Sequence, residues 1–207
     1  MTLRNTLTAG LLLVVSLWAT DHLNAADDGP VVGQPAPTFS AIDTAGNTVS
    51  LDDYLGTKVV LEWTNHDCPY VRKHYNSGNM QRTQKKLTED GVVWLSIISS
   101  APGKQGHVSA EAADDLTTRR GAYPSKVLLD AAGDVGRAYR ARTTPHMFII
   151  DEQGTLQYQG AIDDKPSANP KTLEGATNYV LAAYDALKNG EPLSEDTTTP
   201  YGCSVKY

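Results

Sequence analysis

With 207 residues and a formal net charge of -6, the chain has the length of one domain with a full core. Its acidic balance and the lack of a basic stripe exclude a nucleic-acid-binding role. Two cysteines are too few for a disulfide-stapled mini-fold, and a chain this long does not need one.

The N-terminus predicts a secretory signal over residues 1–25. Arg4 and the terminal amine precede a mostly apolar run from Ala9 to Ala19, and small residues follow at Ala25 and Ala26. That run is shorter than the roughly 20 residues a membrane span needs and has the length of a cleaved h-region. An uncleaved anchor is the alternative. No cysteine stands at the cleavage point and no paired arginine near the start, which disfavours a lipoprotein and twin-arginine export. Arg4 and Asp21 leave together, so the mature chain stays acidic. No later segment is long and apolar enough to cross a membrane. The expected location is periplasmic or secreted, with no membrane attachment after cleavage. In an oxidising compartment, an even cysteine count suggests that Cys68 and Cys203 pair.

Residues 26–40 form an entry linker kept extended by Pro35 and Pro37. "AIDTAGNTVSL" predicts a hairpin turning at Ala45-Gly46-Asn47, and 52–57 a loop or short helical turn. "KVVLEW" (58–63) is a continuous apolar run, as for a strand buried on both faces. A helix over 69–89 follows, with a break near Gly78. "VVWLSIIS" (92–99) is a second buried strand, followed by a long loop carrying Pro102, Gly103 and Gly106. A helix over 109–120 is opened by Ser109 and Glu111. "SKVLLD" (125–130) is a third strand and 132–140 a short helix. "HMFIID" (146–151) and "TLQYQG" (155–160) are adjacent strands. A last helix is predicted over 172–189, with apolar residues three and four apart and a stop at Gly190 and Pro192. Strands alternating with helices predict a mainly parallel α/β sheet with an antiparallel closing hairpin. The domain is placed at 26–190, with a tail at 191–207 that carries Cys203.

Cys68 closes the first long strand and opens a helix. Pro69 suits the first helical position, where its missing N–H costs nothing, which makes Cys68 the N-cap. Free backbone amides and the positive end of the helix dipole then favour thiolate over thiol, and thiolate is the reactive form. Without that setting, a cysteine at a strand end is ordinarily a small inert core residue.

"GQPAPTFSAIDTAGNTVSLDDYLGTKVVLEW", "NHDCPYV", "TTPHMFIID", "GAIDD" and the terminal "GCSVKY", in this order, resemble thioredoxin-fold redoxins of the alkyl hydroperoxide reductase/thiol-specific antioxidant (peroxiredoxin-like) type. The resemblance covers residues 31–207. It implies a thioredoxin-like α/β fold, with a central mixed sheet flanked by helices, an N-terminal β-hairpin extension and a C-terminal tail. It also implies a cis Pro145 beside the sulfur of Cys68, with the Thr144 backbone open to an extended substrate. Two departures stand out. Thioredoxins use Cys-x-x-Cys with the first cysteine as nucleophile, and Asn65 fills that slot here. Peroxiredoxins carry Thr or Ser three residues, and proline seven residues, before their attacking cysteine, where this chain has Asn65 and Leu61. Asn65 is either a hydrogen-bond donor to the sulfur or to a peroxide oxygen, or a turn residue.

The implied chemistry is an antioxidant thiol-based oxidoreductase in which Cys68 attacks a protein disulfide or a peroxide and Cys203 resolves the intermediate. An external dithiol donor restores the pair. A thiol peroxidase is one alternative, and a non-catalytic module with a permanent Cys68–Cys203 bond is another. Closing so long a loop stabilises a fold by roughly 5 kcal/mol in the chain-entropy model. His66 and His146 are candidates for a general acid or for lowering the thiol pKa, and Arg72 for supporting the thiolate. Trp63 and Tyr70 are either core or substrate-facing surface, and Asp163 either a turn residue or a minor acid/base candidate. No cofactor is required. A copper site of Cys68 with His66 or His146 is set aside, because copper carriers of this fold bring two neighbouring cysteines.

Overall fold

A computed structural model describes residues 29–207. The predicted signal over 1–25 lies outside the described residues. The N-terminal hairpin joins β1 (Ser40–Asp43) to β2 (Thr48–Ser50). Its turn is set by Asp43, whose Oδ1 accepts the amides of Ala45 at 3.0 Å and Asn47 at 2.8 Å. A 3-10 turn (Leu51–Tyr54) leads to β3 (Val59–Trp63), buried along its whole length.

The predicted helix over 69–89 is two helices, α1 (Pro69–Asn76) and α2 (Asn79–Glu89). Gly78 separates them at φ 73°, a left-handed conformation that glycine adopts without a Cβ clash. Next come β4 (Val93–Ile98), α3 (Ala110–Arg120), β5 (Lys126–Leu129) and α4 (Asp134–Ala138). The Ser109 side chain caps α3 by accepting the Ala112 amide, as a serine N-cap does. Then follow β6 (Thr143–Thr144), β7 (His146–Ile150) and β8 (Leu156–Gly160). The last helix, α5 (Tyr179–Asn189), begins later than the apolar spacing predicts. Gly175 at φ 69° interrupts the run, and Asn178 restarts it by accepting the Leu181 amide at 3.1 Å. Leu173 instead ends a 3-10 turn.

The main sheet has the order β2-β1-β5-β4-β3-β7-β8. Only β3–β4 and β4–β5 are parallel; β1–β2, β1–β5, β3–β7 and β7–β8 are antiparallel. The sheet is the central mixed one that the resemblance implies, less parallel than the alternation of strands and helices predicts. Helical crossovers serve only the central three strands, and β7 enters the far side in the opposite sense.

The pleat sorts side chains to two faces. Val59, Leu61 and Trp63 of β3 join Phe39, Tyr139 and Phe148 on one face. Val60 faces Cys68, Val71, Met80, Trp94 and Val180 under α1, α2 and α5. Each large side chain fully buried in these layers contributes about 1.5–3 kcal/mol relative to exposure. Trp63 is core, with its ring against Tyr139 and Phe148 and its indole N–H donated to Ser99 Oγ at 3.0 Å. The tail returns across the C-terminal end of β3 and finishes as β9 (Cys203–Ser204), paired antiparallel with β6.

Candidate active site

Cys68 is the N-cap of α1 and Pro69 its first residue. The buried β3 delivers the chain to its C-terminal end of the sheet, and the Asn65 turn brings the Cys68 amide back onto the Asn65 carbonyl at 3.1 Å. The sulfur is fully buried. The Thr144–Pro145 peptide is cis, and the Thr144 carbonyl oxygen lies 3.0 Å from Cys68 Sγ, accepting the thiol proton when it is present. Across the β6–β9 ladder Thr144 pairs with Cys203. A Cβ on Gly202 would run into that same Thr144 carbonyl, so glycine is what permits the strand to approach this closely. Both cysteines are free thiols.

The two sulfurs differ electrostatically. Burial opposes ionisation of Cys68, but it is outweighed by donors: the Cys203 side chain, the Val71 amide, the Thr144 side chain and the Cys203 amide together hold its pKa below the usual thiol value. The Thr144 carbonyl pulls the other way and is outnumbered. Cys203 is pushed up to about 11, by burial and then by the neighbouring Cys68. One thiolate stabilised by a protonated partner is the arrangement expected of a nucleophile with a waiting second thiol.

The other predicted residues divide. Asn65 is a turn residue: its Oδ1 accepts the Asp67 amide at 2.9 Å and its Nδ2 donates to the Gln105 carbonyl at 3.1 Å. Of its two readings, these bonds support the turn, with Oδ1 closing the turn at Asp67 and Nδ2 pinning the 101–108 loop. His66 turns to Asp67, with Nε2 3.4 Å from Oδ2; burial lowers its pKa, against the pull of Asp67. His146 is corrected as a partner of the sulfur. It stacks on Phe148 at 4.4 Å, on the sheet face opposite Cys68. Its Nδ1 accepts the Arg142 amide at 3.4 Å. Burial, helped by Arg142, pushes its pKa down to about 3, so it is neutral near pH 7. Arg72 folds back onto Asp67 at 2.8 Å and the His66 carbonyl at 3.1 Å and does not face the sulfur.

Sequence reasoning missed a buried polar cluster one turn along α1. Lys73 Nζ lies 3.2 Å from Asp163 Oδ2 and donates to the Lys165 carbonyl at 2.8 Å. The Tyr201 hydroxyl donates to Asp163 Oδ1 and sits 3.1 Å from His74 Nε2. Tyr201 stays protonated, its pKa driven well above the usual value by burial and then by Asp163. The available signal was Lys73 in a helix whose neighbours Val71, His74 and Tyr75 are all buried. Its partners, Asp163 and Tyr201, are too distant in sequence to be inferred. Asp163 is thus more than a turn residue, and Tyr70 packs edge-on against Tyr201 at 5.8 Å.

A model of the AhpC/TSA family matches residues 32–159. The chain belongs to this family. The redoxin is 29% identical over 155 residues to the thioredoxin-like protein YneN of Bacillus subtilis (strain 168), covering 72% of this chain and 85% of YneN. It superposes with a TM-score of 0.74 and 28% identity on an uncharacterized conserved protein from Geobacillus kaustophilus, covering 87% of this chain and 94% of that one. The thioredoxin domain of thiol-disulfide oxidoreductase BVU-2223 from Bacteroides vulgatus, 21% identical with a TM-score of 0.50 over 70% of this chain and 96% of that one, shares the fold. The protein is a thioredoxin-fold redoxin of an oxidoreductase family.

Proposed function

We infer that this redoxin is an exported thiol–disulfide oxidoreductase. The Cys68 thiolate attacks one sulfur of a disulfide, the substrate S–S bond breaks, and one thiolate leaves. Cys203 gives its proton to solvent and attacks Cys68 Sγ, forming the Cys68–Cys203 bond and expelling the second thiolate. An external dithiol reduces the pair again. The observation that carries this reading is the pairing of Cys203 with Thr144, which sets the second thiol against an N-cap sulfur whose ionisation is favoured.

Asn65 favours disulfide exchange over peroxide reduction, because its amide is committed to Asp67 and Gln105, which holds its NH2 group on the 101–108 loop. The complete burial of Cys68 favours the second reading, a thiol peroxidase, since a small oxidant needs the least opening. Export rests on residues 1–25, and the N-terminal mass of the secreted protein tests it.

The deciding experiment challenges reduced wild-type, Cys68→Ser and Cys203→Ser proteins with a protein disulfide and with hydrogen peroxide, with adducts read by mass spectrometry. The expected result is a mixed disulfide trapped on Cys68 in Cys203→Ser, and oxidation by peroxide no faster than that of free cysteine. A much faster peroxide reaction moves the assignment to peroxidase. Adducts confined to Cys203 overturn the roles.

A further inference from the structure

Lys73 and His74 side chains are 0% exposed and that of Asp163 is 1%. Burying charges this deeply is costly unless every member is partnered, and here the last partner comes from the tail. The Tyr201 hydroxyl is held by Asp163, by Lys73 Nζ at 3.3 Å and by His74 Nε2 at 3.1 Å. The Lys73 ammonium also lies over the Tyr201 ring, 5.3 Å from its centroid. Tyr201 stands two residues before Cys203, and the intervening Gly202 is pressed against the Thr144 carbonyl. Two of its members, Lys73 and His74, are on α1, the same helix that Cys68 caps. Nucleophile, socket and second thiol are therefore joined by short, rigid connections.

Cys68 is fully buried, and Tyr201 and Cys203 of this strap pack against the cluster that contains it. Attack on any external disulfide requires the strap to lift, whereas attack by Cys203 requires it to be seated. We propose that Tyr201 is a positioning residue for the exchange: its hydroxyl, seated in the Lys73–Asp163–His74 socket, holds Cys203 against Cys68 and sets the balance between the lifted and seated strap. This rests on the reading that Cys68 attacks and Cys203 resolves. Loosening the socket then accelerates the first step and slows the second, a split that general destabilisation of the body does not produce.

The test uses the reduced full-length chain and dithiobis(nitrobenzoate), whose aromatic thiolates are coloured when released. The first is released as Cys68 breaks the reagent's S–S bond, the second as Cys203 displaces the remaining aromatic thiolate from Cys68. In stopped flow, Tyr201→Phe keeps the ring but loses the hydroxyl. It is expected to release the first thiolate several-fold faster and the second about tenfold slower, the scale of a lost hydrogen bond to charged groups. Asp163→Asn reproduces the split; if it fails to fold, Tyr201→Phe decides alone. Tyr207→Phe removes a different tail anchor, the 2.8 Å bond to the Ala141 carbonyl, and leaves both phases near wild type. Both phases of Tyr201→Phe moving together or staying unchanged, or the split appearing equally in Tyr207→Phe, overturns the positioning role. A single release in wild type, with the adduct resident on Cys68, instead overturns the resolving role of Cys203, and the latch falls with it.

Discussion

Two buried carboxylates sit on the α1 side of the sheet and serve opposite ends. Glu62 on β3 is enclosed by neutral donors from the body of the fold: Tyr75 Oη at 2.9 Å, Gln84 Nε2 at 3.0 Å, Trp94 Nε1 at 2.9 Å and Ser96 Oγ at 2.8 Å. Asp163 shares its charge with Lys73 and takes its last hydrogen bond from Tyr201, a residue of the returning tail. The first network seals a core and has no moving part. The second spans the joint between the body and the segment that carries Cys203. Polar burial thus fixes a scaffold in one place and makes a detachable contact in the other.

Removing the cation breaks the comparison most severely. Lys73→Met leaves the Asp163 carboxylate buried and unpaired, at a cost of about 3–5 kcal/mol. Denaturant unfolding measures that loss, and alkylation of Cys203 is expected to accelerate as the tail lifts. Glu62→Gln is expected to destabilise by about 1–3 kcal/mol, because one half of its amide is a donor facing donors, while Cys203 alkylates at the wild-type rate. Equal acceleration in both variants would erase the distinction between the two networks.

Acid perturbs the fold more gently. The folded-state pKa of His74 is pushed down to about 4, by burial and by Lys73 against the pull of Asp163, and that of His146 to about 3. Both lie below the unfolded value near 6.5. Between these limits the unfolded chain binds more protons, so stability is fully present above about pH 6.5 and is lost as pH falls, by up to about 1.4 kcal/mol per pH unit per histidine. Unfolding midpoints across that range measure the slope. His146→Phe is expected to flatten one share of it. The smallest effect is at the α5 cap. Asn178→Ala, which removes the acceptor for the Leu181 amide, is expected to cost about 1 kcal/mol and to leave both thiolate releases unchanged.

The same contrast explains what could be read from the sequence. The strands of the core, the cap role of Cys68 and the positions of Ser109 and Gly78 follow from local rules of apolar runs, helix starts and left-handed glycine. The antiparallel closing hairpin of β7 and β8 is legible too; the pairing of β1 with β5 is not, because no local pattern sets which strands become neighbours. The start of α5 was masked by Leu173 and Ala176, which continue the apolar spacing past Gly175. At the site, the return of Cys203 is expected from the even cysteine count and the resemblance. Asn65 fits two roles on sequence alone, and adjacency to Pro145 makes His146 a candidate neighbour of the sulfur. The pleat instead sends its ring to the opposite face, beside Phe148. The Lys73–Asp163–Tyr201 cluster depends on contacts between residues 90 and 128 positions apart, which no local pattern encodes.

The proposed exchange depends on the inequality of the two thiols. Thiolate absorbance followed through a pH titration of the reduced wild-type, Cys68→Ser and Cys203→Ser proteins measures it directly. The first ionisation is expected below the usual thiol range and to vanish in Cys68→Ser, with the second near 11 belonging to Cys203. A Cys68 that ionises at or above the ordinary thiol value, or a Cys203 that ionises first, contradicts the account.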